Sequence, residues 1–135
     1  RAVAAHVDAE ALPPVKVKGK QEPVVHVGNV DAKRDYTDVR DMVKGYLLAA
    51  EKCDPGDVYN ICTGNAVKIA DVLALLLSYS KIKVEIKPDP DRMRPSDVPI
   101  LLGDNSKFVA KTDWKPEIAF EKTMEDLLNY WREQV

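Results

Sequence analysis

The sequence predicts an α/β fold, on three observations. Short apolar runs alternate with helix-length amphipathic segments, and the connections between them are brief and marked by Gly, Pro, Asn or Asp. One run, Val58-Tyr59-Asn60-Ile61-Cys62, is apolar almost throughout, as in a strand covered on both faces of a parallel sheet. With 135 residues the chain is one domain or a large piece of one, long enough to bury a core. The apolar share is 45%, ordinary for a globular protein, which excludes disorder over most of the length.

Residues 1–12 read as a short helix with Val3, Val7 and Ala11 on one side, ended by Pro13-Pro14 and followed by a polar connector over 16–20. Val24–Val27 is a short apolar strand, and a loop carrying Lys33 and Arg34 follows. From Asp38 to Lys52 the positions Val39, Met42, Val43, Tyr46, Leu47 and Ala50 repeat at helical spacing, and Asp54-Pro55-Gly56 stops that helix. After the Val58–Cys62 strand, Thr63-Gly64-Asn65 turns into a second helix with Ile69, Val72, Leu73, Leu76 and Leu77 on its stripe. Lys81–Lys87 alternates, with Ile82, Val84 and Ile86 on one face, as in a half-exposed strand. Pro88, Pro90 and Pro95 hold the next loop open; then come a strand at Ile100–Leu102 and a short helix at Ser106–Lys111. A final helix, Phe120–Trp131, is expected to bury Phe120, Met124, Leu127, Leu128 and Trp131, with Trp114 a second core anchor.

Charge narrows the function. Twenty basic and 22 acidic residues leave a net charge of −2, which argues against nucleic-acid binding through a basic face. No apolar run is long enough to cross a membrane and no secretory signal is visible. Cys53 and Cys62 lack Cys-x-x-Cys spacing, and His6 and His26 are the only histidines, so a metal site is not expected. The cysteines fit reduced thiols of a cytoplasmic protein. The chain opens on Arg1 rather than Met, so its native start is expected upstream.

Two loops bear arginines beside turn residues: Asn29 to Arg34, and Arg92-Met93-Arg94-Pro95-Ser96-Asp97. A guanidinium on a stiff loop suits a diphosphate, because its planar fork donates two parallel hydrogen bonds. Surface ion pairs are the alternative for the same residues.

Four blocks carry a family resemblance. They are Gly28-Asn29-Val30-Asp31-Ala32-Lys33-Arg34-Asp35-Tyr36-Thr37-Asp38-Val39-Arg40-Asp41, Val58-Tyr59-Asn60-Ile61-Cys62-Thr63-Gly64, Arg94-Pro95-Ser96-Asp97-Val98-Pro99, and Gly103-Asp104-Asn105-Ser106-Lys107 leading to Trp114-Lys115-Pro116. In this order they resemble the C-terminal part of extended short-chain dehydrogenase/reductases acting on nucleotide sugars. The wording is most like that of GDP-6-deoxy-D-mannose reductases and GDP-mannose 4,6-dehydratases. The resemblance implies the C-terminal substrate-binding portion of an extended Rossmann-type enzyme, with the N-terminal cofactor half absent. Residues 21–135 would be the nucleotide-sugar-binding region, while 1–20 depart from the family.

What the resemblance implies for the site is specific. Arg34 and Arg94 would reach the diphosphate, Asp97 would accept from ribose hydroxyls with Ser96 assisting, and Asn29 would line the nucleotide pocket. Val25 and Val27 would flank the base. Each has a structural alternative: a turn-stabilising carboxylate for Asp97, a plain Gly-Asn turn for Asn29. Lys33 and Arg92 read as solvated, and His26 as an edge residue.

The family's catalytic parts are not found. The glycines at 19, 28, 45, 56, 64 and 103 nowhere form a Gly-x-x-Gly-x-x-Gly phosphate turn. The one Tyr-x-x-x-Lys match, Tyr79 to Lys83, straddles a helix end and is read as chance. The expectation is therefore a GDP-deoxyhexose-binding part of an NADP- or NAD-dependent reductase or dehydratase, inactive alone, with no catalytic, cofactor-binding or metal residues of its own. Its partners would be a GDP-sugar and the missing cofactor domain, with no nucleic acid or membrane. It is also expected to self-associate, because half a fold exposes apolar surface. The rival reading is a non-catalytic module that keeps the fold for binding or interaction.

Overall fold

A computed structural model describes residues 23–94 and 98–134. Five strands and four helices follow in the order β1 (Val24–Val27), β2 (Lys33–Asp35), α1 (Val39–Lys52), β3 (Ala66–Lys68), α2 (Ile69–Ser78), β4 (Glu85–Pro88), β5 (Ile100–Leu101), α3 (Ser106–Thr112) and α4 (Phe120–Gln134). A 3₁₀ turn at Pro90–Arg92 sits between β4 and β5. The alternation confirms the α/β class. The proposed helix at 1–12 and the polar connector at 16–20 lie outside the described residues.

The strands form two small sheets. β1 pairs in parallel with β4, placing Val25 opposite Ile86 and His26 opposite Lys87. β2 is the centre of the second sheet, antiparallel to β3 and parallel to β5. Parallel pairing needs a crossover between partners, and α1 and α2 both lie between β1 and β4 in sequence.

Helix α1 starts where expected because Asp38, with extended backbone, accepts a hydrogen bond from the Arg40 amide and so caps the first turn. Its C-terminus closes with the Cys53 amide on the Ala49 carbonyl. The core lies against the side of α1 that carries Asp41 and Gly45. It contains Ala32, Phe108, Trp114 and Met124, with the Phe108 and Trp114 rings 5.8 Å apart and Tyr59 meeting Phe108 edge-on. Gly45 fits there because a Cβ would stand 3.0 Å from the Ile61 methyl and 3.3 Å from the Trp114 indole nitrogen. Helix α2 packs on α4.

Several expectations are corrected. Val58–Cys62 is not a strand: it has no ladder partner among the described residues, and Val58 is 78% exposed. An apolar run fixes a wish to be covered, whereas a strand needs a neighbour to pair with. Lys33–Asp35, which reads as loop, is the central strand β2, and β3 at Ala66–Lys68 has no counterpart in the sequence pattern; three-residue ladders carry too little periodicity to register. The strand over Lys81–Lys87 contracts to Glu85–Pro88, leaving Ile82 exposed. Trp131 and Leu127 are exposed rather than core, while Met124 is buried and Phe120 and Leu128 are half-buried. Likewise Val39, Val43, Tyr46 and Leu47, the apolar stripe of α1, face outward.

Candidate functional site

The central strand β2 organises the site. Side chains alternate along it, so Arg34 and Asp35 leave by opposite faces. Asp35 ties the strand to the Thr63-Gly64 turn. Its carboxylate accepts from the Thr63 amide at 3.0 Å, from the Gly64 amide at 2.9 Å, and from the Thr63 hydroxyl. Gly64 has φ +73°, the left-handed conformation that favours glycine and aims this turn at Asp35. Sequence reasoning gave Asp35 no role; the available signal was an acid placed between a basic and an aromatic residue.

Arg34 is positioned from the other side. Its Nη1 donates to the carbonyls of Lys33 and Val98, both at 2.8 Å, and the Lys33 amide donates to the Pro99 carbonyl at 2.8 Å. These bonds stitch β2 to the far end of the second arginine loop. Nε and Nη2 of Arg34 make no hydrogen bond among the described residues, so one edge of the planar fork is held and the other is offered.

Arg94 is exposed beyond the 3₁₀ turn and has no ion-pair partner among the described residues. Ser96 and Asp97 lie outside the described residues. Asn29 forms an Asx turn in which its Oδ1 accepts from the Asp31 amide at 3.0 Å. Val25 is exposed and Val27 half-buried on β1. Arg92 pairs with Asp89 at 3.2 Å, and Lys33 is exposed, as expected for solvated residues. The backbone at Gly28 lies so close to the 3₁₀ turn that a Cβ would fall 2.4 Å from the Arg92 carbonyl oxygen. Thus the Asn29 turn, β2 and the Arg94 loop meet at one end of the sheets.

Beside β2 a cleft of about 340 Å³ opens between Tyr36-Thr37, the Thr63–Asn65 turn and the segment 116–123. Its polar rim includes Asp38, a buried carboxylate held well below its ordinary range, first by the hydrogen-bonded Arg40 guanidinium and also by the Thr123 hydroxyl. Arg40 in turn is pushed upward by Asp38 and Asp126, so this network stays ionised at neutral pH. Elsewhere Cys62 is raised by burial and by the nearby Asp35 charge, which makes it a poor nucleophile. Tyr79 caps the end of α2, with its carbonyl accepting from Arg132 at 2.7 Å. Among the described residues no cluster of His, Cys, Asp or Glu could hold a metal, and no helix is long and apolar enough to cross a membrane.

Among the described residues Gly56 and Gly64 have positive φ, and the amides at 63 and 64 are taken by the Asp35 carboxylate.

The fold and the sequence both match known proteins. RMD from Pseudomonas aeruginosa, solved in complex with NADPH, superposes with a TM-score of 0.78 at 31% identity over 85% of this chain and 38% of that one. A second solved protein, from Burkholderia cenocepacia, superposes with a TM-score of 0.75 at 28% identity, over 82% of this chain and 37% of that one. These likenesses define the class: the C-terminal portion of an extended short-chain dehydrogenase/reductase of the nucleotide-sugar type. A family profile described as GDP-mannose 4,6 dehydratase matches residues 13–127, and the chain belongs to that family. GDP-6-deoxy-D-mannose reductase from P. aeruginosa is 33% identical over 118 residues, 87% of this chain and 39% of the relative. GDP-mannose 4,6-dehydratase from Sinorhizobium fredii is 29% identical, over 81% of this chain and 37% of the relative. The chain thus spans under two-fifths of the length of these relatives.

Proposed function

We propose that the chain is the nucleotide-sugar-binding part of an NADP- or NAD-dependent GDP-4-keto-6-deoxy-D-mannose reductase or GDP-mannose 4,6-dehydratase, inactive by itself. The observation that carries this reading is the fixed Arg34 fork. Its Nη1 is anchored on Val98 while Nε and Nη2 make no hydrogen bond among the described residues, and the anchor lies four residues beyond Arg94. Family membership and the names of the relatives support the GDP-sugar as ligand. Arg34 and Arg94 bind the diphosphate, Asp97 and Ser96 take the ribose hydroxyls, and Asn29 shapes the turn beside them.

The chemistry of hydride transfer belongs to a cofactor domain outside these residues. The outward apolar stripe of α1 and the Val58–Cys62 segment, which has no ladder partner among the described residues, are the surfaces that such a domain, or a second copy of this chain, covers.

Calorimetry tests the reading. GDP should bind more tightly than GMP, since a charge-assisted hydrogen bond is worth about 1.5–3 kcal/mol. Arg34→Lys and Arg94→Lys should each weaken GDP although charge is kept, because lysine lacks the planar fork. UDP should bind more weakly than GDP. Equal affinities that ignore both substitutions would show that the arginines are surface ion formers only. The chain alone should show no turnover of a GDP-4-keto-6-deoxyhexose with NADPH, and Tyr79→Phe should change nothing.

A further inference from the structure

A hollow of about 450 Å³ lies between the end of α2 and the side of α4. Leu76, Ile82 and Leu128 line it with apolar surface, and Ile82 is 63% exposed. Lys81 and Arg132 line it with positive charge. Among the described residues Lys81 makes no hydrogen bond or ion pair. Arg132 donates only to neutral groups there, the Asn129 Oδ1 at 3.0 Å and the Tyr79 carbonyl at 2.7 Å. Apolar surface between two cations without a carboxylate partner calls for an occupant that is apolar along its centre and acidic at its edges.

The chain enters β1 close by. The Pro23 carbonyl accepts from the Glu85 amide at 2.9 Å, and Val24 stands opposite Glu85 in the β1–β4 pair. Ile82 is three positions before Glu85, at most about 11 Å along an extended chain. Residues 13–22 can span about 33–36 Å when extended, so a segment preceding them reaches the hollow with length to spare. A short tether also holds such a segment at a local concentration of about the millimolar range, which favours it over a second copy of the chain.

The composition of residues 1–12 fits the same surface. Read as a helix, they carry Val3, Val7 and Ala11 in one stripe, with Glu10 on one flank of it and Asp8 on the other. Asp8 and Glu10 are the only acids in residues 1–20, while the connector after them bears Lys16, Lys18 and Lys20. Apolar centre and acidic edges thus occur together in this one stretch of the segment.

We propose that residues 1–12 dock as a helix in the hollow between α2 and α4, with Val3, Val7 and Ala11 on its apolar surface and Asp8 and Glu10 paired with Lys81 and Arg132. Strand β1 stands between this surface and the Asn29 turn, so the docking and the nucleotide-sugar reading are tested apart.

The test is carbodiimide coupling on the full chain, which joins a carboxylate to an ammonium in contact with it, followed by mass spectrometry. Asp8 or Glu10 should couple to Lys81 within one chain, and Val3→Lys with Val7→Lys should abolish that product. Asp8→Lys with Glu10→Lys should lower the melting temperature by several degrees, and adding Lys81→Glu and Arg132→Glu should restore most of the loss. Coupling of these acids to Lys81 only between chains would put a second copy in the hollow and overturns the proposal. No coupling of Asp8 or Glu10 to Lys81, coupling that survives both valine substitutions, or a charge reversal without rescue overturns it equally.

Discussion

The indole Nε1 of Trp114 donates to the backbone carbonyl of Asp41 at 3.1 Å, across 73 positions of sequence. Asp41 is fully buried, and its Oδ2 accepts from the amides of Glu117 and Ile118, both at 2.9 Å, while Lys44 lies 3.5 Å from its Oδ1. The pair therefore fixes the 114–118 segment to α1, and that segment forms one wall of the cleft. Removing the carboxylate leaves two partly buried amides without an acceptor. Asp41→Ala should cost about 3 kcal/mol in urea denaturation, and Asp41→Asn less, because one amide oxygen can still accept from both.

Gly28→Ala should disturb the arginine loop without touching an arginine. The new Cβ meets the Arg92 backbone carbonyl at 2.4 Å, so either β1 or the 3₁₀ turn has to move. Overpacking of this kind costs about 1–3 kcal/mol. The expected outcome is a lower melting temperature together with weaker GDP binding; unchanged GDP affinity would mean that the Arg94 loop is placed independently of Gly28.

Acid should weaken the fold through Asp38. Its folded pKa lies below the ordinary 3.8, chiefly because of the Arg40 side-chain hydrogen bonds. A depressed carboxylate stabilises the fold fully above its unfolded value, and that contribution disappears as pH falls through the folded one. Stability should therefore decline progressively below about pH 5. Asp38→Asn should be less stable at neutral pH and show a flatter acid limb in pH-dependent denaturation. Asp126, lowered by Lys122 and Arg40, adds a contribution of the same sign.

The outward stripe of α1 should govern association. Tyr46 and Leu47 are 61% and 62% exposed, so replacing them with Lys and Glu removes apolar surface from water without opening the core. The double variant should unfold within about 0.5 kcal/mol of the parent for each site. In sedimentation velocity it should shift toward monomer where the parent chain self-associates. A parent chain that remains monomeric at high micromolar concentration would show that this face has no affinity for its own copy.

Local sequence determined a good deal. The span of α1, strand β1, helix α3 and the two arginine-bearing segments are legible because each is set by near neighbours: a stripe, an apolar run, a turn residue. The six glycines likewise show, by their spacing alone, no Gly-x-x-Gly-x-x-Gly match. Tertiary structure decided the rest. Whether Val58–Cys62 becomes a strand depends on an edge to pair with, and whether Trp131 or the α1 stripe is buried depends on what stands opposite; hydrophobicity states a preference and packing supplies the partner. The strand at Lys33–Asp35 exists because β3 and β5 flank it, from 35 and 67 positions further along the chain as measured at the Lys33↔Lys68 and Arg34↔Leu101 ends of its ladders. That pairing alone puts Arg34 and Val67 on one face, since register across strands is fixed by backbone hydrogen bonds that no local pattern encodes.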